Sequence, residues 1–224
     1  MSFCDELREV SQGIWAREHD HPFVTALGAG TLDSDRFRFY LEQDYLFLIE
    51  YAKVFAIAAT RSPGLETMAY FAQLCADTLN GEMALHRSYC AEFGITPQNL
   101  EAARASQTTA GYTGHLLSVA LRGSLAEIVA AVLPCQWGYA EIARSLQDRG
   151  MPEEPRYRKW IEMYASGEFE AYGAWLRARM EELAAPLDAP ARERLKAIFL
   201  DSSRWEYLFW EMAWRQEMWA VPEG

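Results

Sequence analysis

The sequence predicts an all-α fold, a multi-helix bundle, from three observations. Apolar residues recur at three- and four-residue intervals along nearly the whole chain, the spacing that gathers side chains on one face of a helix. Period-two alternation bounded by hairpin dipeptides is hard to find, so strands lack their signal. Capping residues and helix breakers punctuate the periodic runs, leaving short connections between helices that must pack around a core.

The elements follow in order. Asp33 and Ser34 cap the run DRFRFYLEQDYLFLIEYAKVFAIAATR, which stops where Ser62, Pro63 and Gly64 supply breakers. A second helix is expected from about Leu65 to Glu92, ending near Gly94, and Thr96 with Pro97 caps a short amphipathic piece through about Arg104. Small and polar residues from Ala105 to Ala110 read as a loop, and a further helix covers about Tyr112 to Leu121. Ser124 caps the next, which continues to about Gln147 before Asp148, Gly150 and Pro152 stop it. Pro155 starts a short segment, EFEAYGAWLRARMEELAA forms a helix, and Asp188, Ala189 and Pro190 open a long last one through Trp219. The sum is seven to nine helices without linker or repeat, expected as one domain over residues 1–224.

Composition bounds the function. Half the 224 residues are hydrophobic and 13% aromatic, with eight tryptophans, enough for a core burying about 70–75% of the unfolded surface. A formal charge of −11 without a Lys/Arg cluster repels phosphate backbones and argues against a nucleic-acid partner. The four cysteines form no CxxC pair, which fits reduced thiols and a cytoplasmic location. MSFCDELREV carries charges where a signal peptide needs an apolar run. No stretch approaches the ~18 apolar residues of a membrane span.

Few residues stand out as chemical. Cys135 follows Pro134 inside a strong helical pattern, where proline costs about 3 kcal/mol and can turn a side chain toward a cavity. The plainer reading makes Cys135 a small buried hydrophobe. Asp44 shares a face with Phe47 and Tyr51, with Tyr40 one turn earlier. A carboxylate on such an aromatic stripe needs a partner or water. In SSRWEYLFWEMAW, Glu206 shares a face with Phe209, Trp210 and Ala213, while Glu211 points elsewhere. A salt bridge to a neighbouring helix would explain Glu206 equally well. Tyr112, Tyr139 and Tyr164, read singly, are packed aromatics. Four histidines and no repeated Glu-x-x-His motif argue against a metal site, so Glu82 and His86 read as an i, i+4 helix pair. Gly28-Ala29-Gly30 lacks the preceding strand of a phosphate loop.

Several segments, in order along the chain, resemble the TenA (thiaminase II) family: HPFVTALGAGTLDSDRFRFYLEQDY, EMALH, YTGHLL, LPCQWGYAEI, WIEMYAS and WEYLFWEMAW. The resemblance implies a haem-oxygenase-like bundle without haem, no cofactor, and a homotetramer. It makes Cys135 of LPCQW the nucleophile, and Asp44 and Glu206 the acidic residues. Phe47, Tyr51, Tyr112, Tyr139 and Tyr164 become contacts to a small aminopyrimidine or other thiamin-derived substrate. Phenylalanine at position 47, where some relatives carry tyrosine, keeps a stacking ring without a hydroxyl. Retention of Cys135 places the chain with the cysteine-bearing branch, expected to hydrolyse 4-amino-5-aminomethyl-2-methylpyrimidine to the hydroxymethylpyrimidine and ammonia, and thiamin more weakly, in thiamin salvage.

Two other readings fit the same fold. A cofactorless oxidase of pyrroloquinoline quinone synthesis would call for basic and histidine-rich walls, against which four histidines and the net charge argue. A non-catalytic thiamin-binding or pyrimidine-binding protein, or a regulator, would not require Cys135.

Overall fold

The computed structural model describes residues 2–221, apart from the side chains of residues 81, 82, 84 and 85. These residues form α1 (Phe3–His19), α2 (Pro22–Gly28), α3 (Ser34–Arg61), α4 (Leu65–Asp77), a π-helical turn (Thr78–Glu82), α5 (Met83–Glu92), α6 (Pro97–Ala102) and α7 (Gln107–Arg122). After them come α8 (Leu125–Arg149), α9 (Pro155–Tyr164), α10 (Gly167–Ala184) and α11 (Ala189–Arg215). The all-α class holds, with no strand among the described residues. The helices outnumber the expected seven to nine. The chain before Asp33 supplies two, and the π turn over the helix-poor sequence TLNGE separates α4 from α5. The Glu82 side chain lies outside what the structure describes, and with it the expected pairing to His86.

Contacts group the chain into two units, Met1–Leu32 with Ala126–Glu211, and Asp33–Leu125 with Met212–Gly224. In the first, α1 begins with a Ser2 capping box and with the Glu181 carboxylate of α10 accepting from the backbone N–H groups of Phe3 and Cys4 at 3.0 and 2.8 Å. Burial works against the Glu181 charge, but the Cys4 and Phe3 amides outweigh it and hold the carboxyl below its usual range. Along α1 the contacts to α11 advance in step. Glu6 meets Arg192 and Lys196, both at 2.8 Å; Trp15 stacks on Phe199 and donates to Ser203 Oγ at 2.9 Å. The two helices therefore run parallel. Gly28 of α2 lets α8 approach, since a Cβ there would come within 2.6 Å of Leu146 Cδ2.

In the second unit α3 is central, with α4, α5 and α7 packed on it. Its ends are the expected ones. Asp33 accepts from the Asp35 and Arg36 amides, and Ser62 closes the helix. Arg61 reaches from the last turn of α3 to the Leu121 and Gly123 carbonyls at 2.7 and 2.8 Å, satisfying groups that the end of α7 leaves open. Phe37 of α3 packs on Phe93 and Tyr89, with centroids 4.9 and 5.8 Å away.

Two boundaries differ from expectation. The expected loop at residues 105–110 holds the first turn of α7, capped by Ser106, whose Oγ accepts from the Thr109 amide at 3.0 Å. The last helix ends at Arg215, not Trp219. Gln216 adopts a left-handed conformation with φ 54°, and the Glu217 amide folds back on the Met212 carbonyl at 3.0 Å, a Schellman-type stop without glycine.

Candidate active site

The residues singled out from the sequence fall in both units. In the first, α8 carries Cys135 and Tyr139 four residues apart, hence on one face. Pro134 does not break the helix; it withholds the donor that the Ala130 carbonyl would otherwise meet. Cys135 is partly exposed. Gln136 beside it is buried, with Oε1 lacking a hydrogen bond. Tyr139 stacks on Trp210 of α11 at 5.0 Å and 29°, and lies 5.0 Å from the ring of Tyr164, the last residue of α9. Tyr164 in turn packs on Trp160 and, edge to face, on Phe169. Two of the expected contact tyrosines thus belong to one aromatic cluster.

Glu206 lies one turn before Trp210 on α11. It is buried together with Phe209, Trp210 and Ala213, as the helical spacing required. Glu211 points away from that stripe and accepts from His21 Nε2–H at 3.0 Å, while His21 Nδ1 accepts from the Phe23 amide to cap α2. Burial lowers the His21 pKa, and Glu211 opposes that shift through its hydrogen bond and charge.

Two features of this unit were missed in the sequence. Glu18, at the end of α1, is buried with Oε1 unpartnered. Its carboxyl is raised well above the usual range, first by burial and then by the charge of Glu206. The second feature is a cleft of about 620 Å³ walled by His19, Trp137, Glu141, Arg144, Tyr164 and Arg177, among others. It shares Tyr164 with the aromatic cluster, but Cys135 is not among its walls, and its ion pair Arg144–Glu170 is solvent-exposed.

In the second unit α3 presents Asp44, Phe47 and Tyr51 as a buried stripe. Phe47 stacks on Tyr51 at 5.2 Å and meets Tyr112 of α7 at 4.9 Å. The partner that a carboxylate among aromatics requires is His86 of α5. Its Nε2 lies 3.3 Å from Asp44 Oδ2, although the N–H direction falls short of a hydrogen bond. On the other side of the ring, Cys90 Sγ is 3.3 Å from His86 Nδ1. Burial, followed by the charges of Asp44 and Glu42, pushes the Cys90 thiol up to about 12, so the sulfur facing the His86 ring is a thiol and not a thiolate. The i, i+4 spacing of His86 and Cys90 was visible in sequence, but their convergence on Asp44 was not.

The four cysteines differ in environment. Cys4 and Cys90 are buried with thiols raised to about 12, chiefly by burial, whereas Cys75 and Cys135 are partly exposed. Among the described residues no three His, Cys, Asp or Glu side chains gather as a metal ion would need, and no helix is long and apolar enough to cross a membrane.

Comparison with known proteins identifies the family. Aminopyrimidine aminohydrolase of Halalkalibacterium halodurans is 44% identical over 220 residues, 98% of both chains. A TenA homologue from P. horikoshii OT3 superposes with a TM-score of 0.89 at 31% identity, covering 96% of this chain and 99% of the other. A haem-oxygenase-like domain of unknown function from Shewanella denitrificans OS217 covers 96% of this chain and 93% of its own, with a TM-score of 0.73 and 11% identity, a likeness of fold alone. The family profile described as TENA/THI-4/PQQC matches residues 8–216, and the chain belongs to that family.

Proposed function

We propose that this carbon–nitrogen hydrolase is an aminopyrimidine aminohydrolase, converting 4-amino-5-aminomethyl-2-methylpyrimidine and water to the 5-hydroxymethyl compound and ammonia, and cleaving thiamin more weakly. The observation that carries the reading is the near full-length 44% identity to a protein of that name. Salvage of thiamin breakdown products in the cytoplasm, by a homotetramer, belongs to the same proposal.

The chemistry sets the residue roles. An amine on an exocyclic methylene is not expelled while the ring stays aromatic. Addition of the Cys135 thiolate to the ring carbon beside a ring nitrogen, with protonation of that nitrogen, breaks the aromaticity. The 4-amino group then pushes out ammonia, water adds to the methylene, and departure of the thiolate with loss of the ring proton restores the pyrimidine. Glu206 serves as acid and base, Asp44 orients the ring, and Phe47, Tyr51, Tyr112, Tyr139 and Tyr164 hold it by stacking and hydroxyl contacts. Partial exposure of Cys135 supports its role, because a nucleophile must be reached by substrate. Burial of Glu206 supports a carboxyl able to hold a proton.

The substrate order tests the reading. The aminomethylpyrimidine should show the higher kcat/KM when assayed beside thiamin with the same preparation, and a clear preference for thiamin would overturn it. A protein that binds either compound without turnover would instead be the non-catalytic binding or regulatory protein.

A further inference from the structure

We propose that Glu18 and Glu206 are coupled buried carboxylates of which only one ionises at a time, making Glu18 a positioning residue that keeps Glu206 supplied as an acid. The role of Glu206 rests on the function proposed above; the pair itself does not.

The register of α1 against α11 carries the inference. Trp15 Nε1 contacts Ser203 Oγ at 2.9 Å, and His21 Nε2 contacts Glu211 Oε2 at 3.0 Å. Between these two fixed points of parallel chain segments, Glu18 is one turn beyond Trp15 and Glu206 is one turn beyond Ser203. Only 2% of Glu18 and 4% of Glu206 is exposed, so water does not screen one from the other. Two carboxylates brought together out of water cannot both ionise cheaply, and one retains its proton.

Other charges near Glu18 do not relieve it. Besides Glu206 from α11, the groups acting on it are Arg8 from α1 and Glu141 from α8. Arg8 Nη2 is engaged by Glu141 at 2.8 Å, and its guanidinium lies 4.2 Å from the Trp15 ring centre. Glu141 adds negative charge. Glu18 Oε1 has no hydrogen-bond partner, and the upward displacement of its titration, by burial first and Glu206 second, agrees with a retained proton.

The experiment compares wild type, Glu18→Gln and Glu206→Gln. Carbon-13 NMR of glutamate side-chain carboxyls is followed through a pH titration without substrate, and the pH profile of kcat/KM is measured with the aminomethylpyrimidine. Gln approximates the neutral acid, so Glu18→Gln should fold. If it does not, the Glu18 resonance in Glu206→Gln still reads the coupling. The expected result is reciprocal: each variant moves the remaining carboxyl's titration to lower pH. In Glu18→Gln the ratio of kcat/KM at about pH 8 to that at about pH 6 falls about fivefold below the wild-type ratio, the consequence of a one-unit displacement within that range. Titrations unmoved by the partner's substitution overturn the pair. Coupled titrations with an unmoved pH profile overturn the positioning role. Coupled titrations in a wild type that turns over no aminopyrimidine would retain the pair and reject the function on which its catalytic meaning rests.

Discussion

Replacing Gln43 by leucine should destabilise the protein by about 3 kcal/mol. The side chain is 2% exposed and makes three hydrogen bonds to a segment more than sixty residues away. Oε1 accepts from the Ser106 amide at 2.8 Å and from Thr109 Oγ1 at 2.7 Å, while Nε2 donates to the Arg104 carbonyl at 3.0 Å. At about 1 kcal/mol net per bond, losing all three costs about 3 kcal/mol. Leucine fills nearly the same volume, so the loss is polar rather than a cavity. Thr109 retains Ser106 Oγ at 3.0 Å and the Arg104 carbonyl can turn to water, but the fully buried Ser106 amide is left without its partner. Urea unfolding of the two proteins, followed by tryptophan fluorescence, reads the difference as a lower midpoint at unchanged slope. A loss below about 1 kcal/mol would refute the assignment of these bonds as the anchor of α7.

Other consequences follow from the same structure. Under native conditions at mildly alkaline pH, a small alkylating reagent should modify Cys75 and Cys135 well before Cys4 and Cys90, which are buried with thiols raised to about 12. Peptide mass mapping checks the order, and early labelling of Cys90 would contradict its burial as a protonated thiol. Stability should also carry the signature of Glu18. Its folded-state pKa lies above the unfolded value, so the native protein binds the extra proton, and stability falls as pH rises from about 4.3 through the raised value. The slope is at most about 1.4 kcal/mol per pH unit for one proton. Glu18→Gln should therefore gain stability relative to wild type as pH rises from about 5 to 8, the range over which denaturant unfolding would be compared; a difference independent of pH would contradict the raised titration. His21 acts in the opposite sense: its lowered pKa favours the native state above the usual histidine value, and that contribution is lost as pH falls.

What could be read in the sequence was what local chemistry determines. Both ends of α3 were legible because Asp33 caps its own helix and Ser62-Pro63-Gly64 cannot continue one. Thr96 was equally legible, since its capping box with Asn99 closes within four residues. The start of α7 was not, because Ser106 and Thr109 are held by Gln43 from another helix, a contact that composition alone presents as a polar loop. The end of α11 was missed for a different reason: Gln216 takes the left-handed position that glycine usually signals. At the candidate site, helical spacing identified the buried faces of Asp44 and Glu206. The partners of those carboxylates come from elsewhere in the chain. His86 is 42 residues beyond Asp44, and the charge of Glu206 acts on Glu18 from a helix far along the chain, a relation carried by the packing of α1 on α11.

The most direct test of Cys135 as the nucleophile is ammonia release from 4-amino-5-aminomethyl-2-methylpyrimidine by the wild type and by Cys135→Ser, with folding of both verified by circular dichroism. Wild-type turnover that falls at least about a thousandfold in the folded serine variant is the predicted result, since the weaker nucleophile must carry the ring addition that creates the leaving pathway. Ammonia release by Cys135→Ser within about tenfold of wild type would contradict covalent catalysis at this residue.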